Sequence, residues 1–247
     1  MTGTLLFLLL LFGLLFFLLS KTASYKGQAG ERKVARKLNF FGKNGKRYPT
    51  FHNVTLRTPD GTTQIDHILI SPYGIFVIET KNLKGWIFGG ESQRQWTQTI
   101  YKNKYKFQNP IFQNYKHVKA IEKLLNANIN HIFNIVVFVG RSKFKTDMPS
   151  NVVTKGSLIP LINSYKSEVL SSENIKNYSL TIEKAITSTE FTKNEHIANI
   201  KRNKTSPICP RCGKPMVIRK AKKGSNAGKE FWGCSGFPTC KATKRKG

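Results

Sequence analysis

Acidic side chains are scarce in this sequence of 247 residues: 13 Asp and Glu residues accompany 41 Lys and Arg residues, for a formal net charge of +28. A charge of this size favours contact with polyanions, with nucleic acid first and an anionic membrane surface second. A generally basic surface without a specific partner is the alternative. Because acids are so few, each one is informative, and the first 150 residues contain seven of them: Glu31, Asp60, Asp66, Glu79, Glu91, Glu122 and Asp147.

Charged side chains are absent from residues 1–20, and the run from Leu5 to Leu19 is almost wholly leucine and phenylalanine. This run approaches the roughly 20 residues that span a bilayer as a helix, which predicts a transmembrane anchor over residues 1–20. A cleaved signal peptide is the alternative, but such a peptide usually has a basic n-region, and here only the amino terminus supplies charge. All Lys and Arg residues follow position 20. The positive-inside rule therefore predicts a single-pass membrane protein whose soluble part lies in the cytoplasm.

The rest of the chain has the length of one α/β domain with small attachments. Hydrophobic periodicity and turn residues predict helices over residues 27–41 and 109–125 and strands over residues 50–57, 64–71, 74–82 and 132–139. Residues 146–200 are interpreted as the C-terminal part of this domain or as a helical extension. After Lys201 the composition changes to Lys, Gly, Pro and Cys, which indicates a small second domain over residues 207–242.

Two acids of the first domain are predicted to face each other across a hairpin. The segment Ser71-Pro72-Tyr73-Gly74 is a turn signal, and a tight turn that pairs Ser71 with Gly74 sets Asp66 opposite Glu79. Facing carboxylates about 5 Å apart repel each other. Unless a cation lies between them, a strand pair gains nothing from this arrangement. Two hard oxygen ligands with open water positions suit Mg²⁺ or Mn²⁺.

The same register places Lys81 and Gln64 beside the two acids. An ammonium at Lys81 could hold or deprotonate an attacking water, or offset the charge that builds on a phosphate in the transition state. Gln64 is a candidate for positioning water or Lys81, and Glu31 on the preceding helix is a candidate third acid. Ordinary surface charge is the alternative interpretation. It is less favoured because the neighbouring positions on this face are apolar, where a carboxylate needs a partner.

Four segments of this domain resemble the nuclease-related domain, a family grouped with the PD-(D/E)XK nucleases: residues 27–31, 64–70 and 74–82, and Asn109-Pro110 followed by Gln113 and His117. The resemblance covers roughly residues 25–140, in a domain expected over residues 25–145. It implies a restriction-endonuclease-like α/β core, with a mixed central sheet flanked by helices, and Mg²⁺-dependent phosphodiester cleavage. Carried over by motif, Asp66, Glu79 and Lys81 are the catalytic set, Asp66 and Glu79 the magnesium ligands, and Glu31 the helical acid. Ile65 stands where the family label has proline.

Other histidine and tryptophan residues are predicted to have supporting roles. His117 lies close to the polar edge of its helix, so a supporting role is at least as well favoured as chemistry. His67 points to the face opposite Asp66 and is expected to be structural. Trp86 and Trp96 are capable of stacking on bases, but buried packing is the prediction for both.

All four cysteines lie near the C-terminus, as Cys209-x2-Cys212 and Cys234-x5-Cys240. Disulfides are disfavoured in the cytoplasm, and two close pairs suit a tetrahedral Cys₄ zinc site. The surrounding residues resemble the C4 zinc finger of bacterial type IA topoisomerases, a zinc ribbon associated with single-stranded DNA. The residues predicted to contact nucleic acid are Phe231, Trp232, Phe237, Arg219 and Lys220. The alternative is a structural zinc knob whose aromatic side chains cover the metal.

Together these features predict a membrane-anchored, Mg²⁺-dependent nuclease, with DNA favoured over RNA and with zinc in a ribbon that binds single-stranded DNA. A non-catalytic protein that tethers DNA or RNA to the membrane on a nuclease-like fold is the second hypothesis. A third, a protein that binds anionic lipid through its basic tail, leaves the carboxylate pair and the aromatic ribbon unexplained. No feature of the sequence indicates a protein partner.

Overall fold

The structure, a computed structural model, describes residues 26–43, 45–58, 61–188, 207, 209, 211–221 and 226–245. The chain divides into two compact units, one made of Met1–Val54 with Gln64–Ile186 and the other of Thr55–Thr63 with Thr187–Gly247. Within the described ranges no helix is long and apolar enough to cross a membrane. The predicted anchor over residues 1–20 lies outside these ranges.

In the described part of the chain, eight strands lie between the first two helices, and short strands dominate the C-terminal region. The helices are α1 (residues 26–39), α2 (Pro110–Leu125), α3 (Leu158–Ser164) and α4 (Ser172–Ser188), with a 3₁₀ turn at Ile129–His131. The strands are β1 (Gly42–Lys43), β2 (Lys46–Arg47), β3 (Thr50–Thr58), β4 (Gly61–Ser71), β5 (Gly74–Lys81), β6 (Gly85–Phe88), β7 (Gln95–Ile100), β8 (Asn103–Gln108), β9 (Ile132–Phe138), β10 (Ser142–Phe144), β11 (Val152–Thr154), β12 (Met216–Lys220), β13 (Glu230–Cys234) and β14 (Thr243–Arg245).

The central sheet has five strands in the order β11-β9-β5-β4-β3. Strand β5 pairs antiparallel with β4 and parallel with β9, and β9 pairs parallel with β11, so the sheet is mixed. Every residue of β5 from Gly74 to Thr80 is buried, which explains why this strand is an almost continuous apolar run. The predicted mixed α/β architecture is confirmed.

Helices cover both faces of this sheet. Val34 and Leu38 of α1 and Ile162 of α3 pack with Phe76 and Ile78 in one buried cluster. On the other face, the Asn114 side chain of α2 donates hydrogen bonds to the carbonyl oxygens of Val77 and Ile135, at 2.8 and 3.1 Å. These bonds are buried, so they hold α2 at a fixed height over β5 and β9.

Helix α2 begins and ends as its sequence predicts. Asn109 is the N-cap, its Oδ1 accepts the N–H of Ile111 at 2.9 Å, and Pro110 occupies the first turn. The Asn109 amide also donates to the carbonyl oxygens of Gly90, Glu91 and Gln93. The helix ends at Asn126, which adopts the left-handed conformation.

A second sheet has four strands in the order β10-β6-β7-β8, of which β6, β7 and β8 follow the β4–β5 hairpin directly in the chain. Trp96 of β7 is fully buried against Phe138, in line with the packing role predicted for it. The same prediction is wrong for Trp86 of β6, whose side chain is 49% exposed. The two residues lie on opposite faces of the small sheet, and only the Trp96 face has a core to pack against.

Candidate active site

The hairpin of β4 and β5 has the register that the sequence predicts. Ser71 pairs with Gly74, and the ladder continues to the pair His67 and Ile78. Gly74 has φ of 131°, and a Cβ atom there would lie 2.5 Å from the Phe133 ring, so glycine is required at the turn. The next position on each strand is an acid, Asp66 on β4 and Glu79 on β5.

Asp66 holds the end of the ladder with its side chain. Its Oδ2 accepts the backbone N–H of Thr80 at 2.8 Å, which fixes the carboxylate at the point where the strand pairing stops. Burial, and secondly the negative charge of Glu79, raise the pKa of Asp66 well above its ordinary value, although the Thr80 hydrogen bond opposes the shift. The two carboxylates therefore interact directly with each other's charge, as the predicted register requires.

Glu79 is 3% exposed, and its two oxygens differ in their contacts. Oε1 accepts a hydrogen bond from Lys81 Nζ at 2.6 Å, whereas Oε2 is buried without a hydrogen-bond partner. Burial raises the pKa of Glu79, and the Lys81 ammonium opposes this shift. A buried carboxylate oxygen without a partner carries a large desolvation cost. A cation that binds Oε2 would remove this cost.

Lys81 is held from two sides, by Glu79 and by helix α2. Its ammonium donates to Gln113 Oε1 at 2.8 Å, in addition to its ion pair with Glu79. Gln113 lies one turn into α2, whose position over β5 is set by the buried Asn114 amide. The Asn109-Pro110 start, Gln113 and Asn114 thus act together to orient the lysine.

His117 lies beside the free oxygen of Glu79, with Nδ1 3.6 Å from Oε2. Burial, followed by the positive charges of Lys81 and Lys116, lowers the pKa of His117 to about 4, so the imidazole is neutral at pH 7. Its Nδ1 is 3.2 Å from Asn114 Oδ1. Because the Asn114 amide nitrogen already donates to main-chain carbonyls, Asn114 Oδ1 is an acceptor and the proton of His117 resides on Nδ1.

Glu31 on α1 belongs to the same electrostatic group. Burial, and secondly the charge of Glu79, raise the pKa of Glu31, against the opposing charges of Arg32 and Lys81. A close helix contact allows this placement: a Cβ atom on Gly30 would lie 2.7 Å from the Asn82 side chain. The Asn82 amide in turn donates to the carbonyl oxygen of Lys26 at 2.6 Å.

Asp66 and Glu79 fit a divalent cation by their chemistry. They offer hard oxygen ligands, and one of these, Glu79 Oε2, is buried without another partner. Among the described residues, the four cysteines are the side chains that lie close enough together for three or more of them to bind one metal ion. Glu31, Asp66 and Glu79 do not form such a group in the part of the chain that the structure describes. Two carboxylates with several waters are a common arrangement for Mg²⁺.

Two residues near the pair have other partners. Gln64, predicted to position water or Lys81, instead donates from Nε2 to Asn53 Oδ1 on β3, at 3.2 Å, because β4 pairs with β3 as well as with β5. His67 is fully buried on the opposite face of β4, where Nε2 lies 3.1 Å from Thr80 Oγ1. The structural role predicted for His67 agrees with this position.

The four cysteine thiols form a compact cluster in the C-terminal region. Their sulfur atoms all lie within 4.8 Å of one another, and none is in a disulfide. Cys209 and Cys240 sulfurs are 3.8 Å apart and those of Cys212 and Cys234 3.3 Å apart. Tetrahedral zinc with Zn–S bonds near 2.3 Å separates its sulfurs by roughly 3.8 Å. The backbone N–H of Gly236 donates to Cys234 Sγ at 3.2 Å, so the cluster fits zinc.

The predicted nucleic-acid residues divide between two faces of the sheet β12-β13-β14. Arg219 pairs with Phe231 across the strands, and its guanidinium lies 5.3 Å from the ring centre of Phe237, which is 56% exposed. Trp232 instead packs against the cysteine cluster, because adjacent residues of a strand point to opposite faces. Lys220 lies opposite Glu230. Trp232 is partly buried in this packing, as expected from the alternative in which aromatic side chains cover the cysteine cluster, and its predicted contact with nucleic acid stays a prediction.

Comparison with known proteins identifies two regions of the chain. A model of the nuclease-related domain matches residues 26–139, and a model of the topoisomerase DNA-binding C4 zinc finger matches residues 207–246. The chain thus contains a nuclease-related domain, followed by a C4 zinc ribbon of the topoisomerase type. An uncharacterized protein of Bacillus anthracis is 38% identical over 178 residues, which cover 70% of this chain and 82% of that protein. No solved structure matches the chain.

Within the nuclease-related domain, the structure assigns partners to residues whose role the sequence left open. Gln113 was part of the family motif without a function, and it now holds Lys81. Asn114 had no signal of its own in the sequence. It lies one position after Gln113 and three before His117, which places it on the helix face toward the sheet. This spacing is the feature of the sequence that could have indicated its role.

Proposed function

We propose that this protein is a membrane-anchored, metal-dependent nuclease that hydrolyses phosphodiester bonds of DNA on a restriction-endonuclease-like core. The observation that carries the proposal is the Glu79 carboxylate, which has one oxygen bound to Lys81 and the other buried without a hydrogen-bond partner, and whose charge raises the pKa of Asp66. Membership of the nuclease-related domain family supports the reaction class. If the ion pair of Glu79 and Lys81 were purely structural, the burial of Glu79 Oε2 without a hydrogen-bond partner would have no explanation.

Asp66 and Glu79 are the residues that would hold Mg²⁺. When bound, Mg²⁺ neutralises charge on phosphate oxygens and makes water a stronger acid. The raised pKa values of both acids mean that they bind protons readily while no cation is present. A cation and a proton therefore compete for the pair.

Lys81 would contact the scissile phosphate or the attacking water. Its bonds to Glu79 and Gln113 fix the ammonium at the edge of the carboxylate pair, so its charge needs little rearrangement when negative charge develops on phosphate. His117 stays neutral at pH 7 and supports Glu79. Glu31 adds negative charge from α1, which favours a cation at the site.

The C-terminal ribbon is proposed to bind zinc through its four cysteines and single-stranded DNA through Arg219, Phe231 and Phe237. The family match to a DNA-binding zinc finger supports this role. An exposed phenylalanine next to a guanidinium is suited to stack on a base while the arginine approaches the backbone. Residues 1–20 are proposed as the membrane anchor, with the remainder in the cytoplasm, because their apolar run has the length of a spanning helix.

The experiment that tests the nuclease is degradation of DNA and RNA with added Mg²⁺. Wild type should cleave, and a double variant Asp66→Ala, Glu79→Ala should not, while a Glu122→Ala variant, an acid on α2 paired with Lys119, should cleave as wild type does. Loss of cleavage in EDTA should be reversed by added Mg²⁺ together with zinc. Equal degradation by wild type and the double variant contradicts the proposal. Binding without cleavage by the wild type would instead support the tethering function.

A further inference from the structure

We propose that the outer face of the sheet β10-β6-β7-β8 is a second binding surface for single-stranded nucleic acid, separate from the zinc ribbon. The inference rests on the nucleic-acid substrate proposed above. It assigns a role to Trp86, which the carboxylate site does not use. The surface is defined here as the Trp86 face and consists of Lys84, Trp86, Thr99, Tyr101, Lys104, Lys106, Lys143 and Lys145.

The strand registers place these side chains in one row. Lys143 pairs with Trp86, Trp86 with Thr99, and Thr99 with Lys104, on four neighbouring strands. Residues that pair across strands point to the same face. With strands about 4.8 Å apart, the row extends over about 14 Å. Its aromatic centre therefore has a lysine at each end.

Trp86 is an aromatic platform that solvent can reach. Its side chain is 49% exposed, and Lys145 Nζ lies 4.6 Å from the centre of its ring. The adjacent turn presents Tyr101, which is 94% exposed and has φ of 52°. A bulky residue at positive φ costs free energy, and such strain is typical of functional positions. Two exposed aromatic rings among lysines are the combination that binds single strands.

The surface also contains a pocket with an unpaired polar group. The pocket has a volume of about 330 Å³ and is lined by Lys84, Gly85, Trp86, Thr99, Ile100 and Tyr101. The hydroxyl oxygen of Thr99 is buried and has no hydrogen-bond partner. A buried hydroxyl without a partner is unfavourable, so the wall of the pocket at Thr99 is not at its optimum in the unliganded protein.

Charge selects nucleic acid as the occupant. The four strands contain no Asp or Glu, and the lysines of the Trp86 face are exposed. Trp86 is five positions after Lys81 in the chain, so their Cα atoms are at most about 18 Å apart. A single strand bound on this face would lie within a few nucleotides of the proposed cleavage site.

The test measures binding of the full-length protein in detergent to an oligothymidine of about 12 nucleotides, a length within the usual site size, and to its abasic counterpart. All proteins carry Glu79→Gln to prevent cleavage and Phe237→Ala to weaken the ribbon, so the result does not depend on nuclease activity. Trp86→Ala should weaken binding to oligothymidine roughly 5- to 150-fold. Trp86→Phe should keep most of the parent's affinity for oligothymidine. Because the abasic oligomer has no bases to stack, it should bind Trp86→Ala and the parent with equal affinity.

A plot of the logarithm of the binding constant against the logarithm of salt concentration should be less steep for Lys145→Ala by about 0.7, the contribution of one phosphate contact to a single strand. The matched control is Tyr115→Ala with Lys119→Ala, an exposed aromatic and lysine pair on α2, and its affinity for oligothymidine should equal that of the parent. The proposal is overturned if Trp86→Ala binds oligothymidine as tightly as its parent. A loss of binding to anionic lipid vesicles in Trp86→Ala, with oligothymidine binding unchanged, would also overturn it and would indicate a membrane surface.

Discussion

The ammonium of Lys81 lies 2.6 Å from Glu79 Oε1, and the other oxygen of the same carboxylate, Oε2, is buried without a hydrogen-bond partner. One carboxylate therefore orients the lysine with one oxygen and has the second available for a cation. This division separates a catalytic arrangement from an ordinary ion pair, in which burial of an unpaired oxygen would only reduce stability.

Replacement of Lys81 by methionine keeps the length of the side chain and removes its charge. We expect Lys81→Met to lower kcat by about 100- to 1000-fold, the usual loss when one preorganised donor to a transition-state charge is removed. Gln113→Ala keeps the ammonium and its bond to Glu79 but removes one hydrogen-bond acceptor, so it should lower kcat by a smaller factor. The comparison is Lys119→Met on α2, whose partner is Glu122 and whose kcat should match the wild type. An unchanged kcat in Lys81→Met would show that the lysine is structural.

Asp66→Asn should make the metal-free protein more stable at pH 7 while it removes activity. Burial and Glu79 raise the pKa of Asp66 in the folded state, so the carboxyl group binds its proton more tightly folded than unfolded. Its contribution to stability is therefore lost as pH rises from the ordinary carboxyl pKa through the raised folded value. Removal of the charge should stabilise by on the order of 1 kcal/mol, or about 2–4 °C in Tm.

The check is thermal unfolding with and without Mg²⁺. Added Mg²⁺ should raise the Tm of the wild type and leave that of Asp66→Asn nearly unchanged, since ligands stabilise the state that binds them. A Tm of metal-free Asp66→Asn below that of the metal-free wild type, or equal responses of both proteins to Mg²⁺, would contradict this interpretation of the pair.

Proton and metal competition should appear in the pH dependence of cleavage. The pKa values of Asp66 and Glu79 are both raised, so the rate should increase with pH through a midpoint above the ordinary carboxyl value of about 4. Higher Mg²⁺ should move this midpoint to lower pH. His117, with a pKa of about 4, is neutral over the range, so His117→Asn should change the rate without abolishing the dependence on Mg²⁺. A midpoint independent of Mg²⁺ would argue against ligand ionisation as its cause.

Much of the carboxylate site was predictable from sequence because one local feature determines it. The turn at Ser71 and Gly74 fixes the hairpin register, and the period of two along each strand then places Asp66 near Glu79. The role predicted for Gln64 stays a prediction, because its amide nitrogen donates to Asn53 on β3, a partner that the hairpin register does not involve. The turn between β4 and β5 determines how those two strands pair, but it does not determine how β4 pairs with β3.

Residues that depend on long-range packing were not predictable. Trp86 and Trp96 both lie on short strands of the small sheet, and the packing of one face of that sheet against the core decides which of them is buried. For the ribbon, Phe231 and Trp232 are adjacent and must point to opposite faces. The sequence does not state which face covers the cysteines, and the structure assigns it to Trp232.

The ribbon should show separate effects for its two faces. Cys234→Ser removes a ligand from the cysteine cluster, so its bound zinc, measured by atomic absorption, should decrease to near zero. Phe237→Ala should keep its zinc and bind single-stranded DNA more weakly by about 1–3 kcal/mol. Trp232→Ala should lower zinc affinity or stability more than it lowers intrinsic DNA affinity. Full zinc content in Cys234→Ser would exclude the proposed ligand set.

The most direct test of the central claim is a titration with Mn²⁺ in which metal binding and DNA cleavage are followed together. Mn²⁺ is a spectroscopic substitute for Mg²⁺ and prefers the same oxygen ligands. We expect both signals to rise over the same Mn²⁺ concentrations in the wild type, and both to be lost in an Asp66→Asn, Glu79→Gln variant that keeps its zinc and its fold. Cleavage by that variant, or Mn²⁺ binding by it equal to that of the wild type, would contradict the assignment of Asp66 and Glu79 as the metal site of a nuclease.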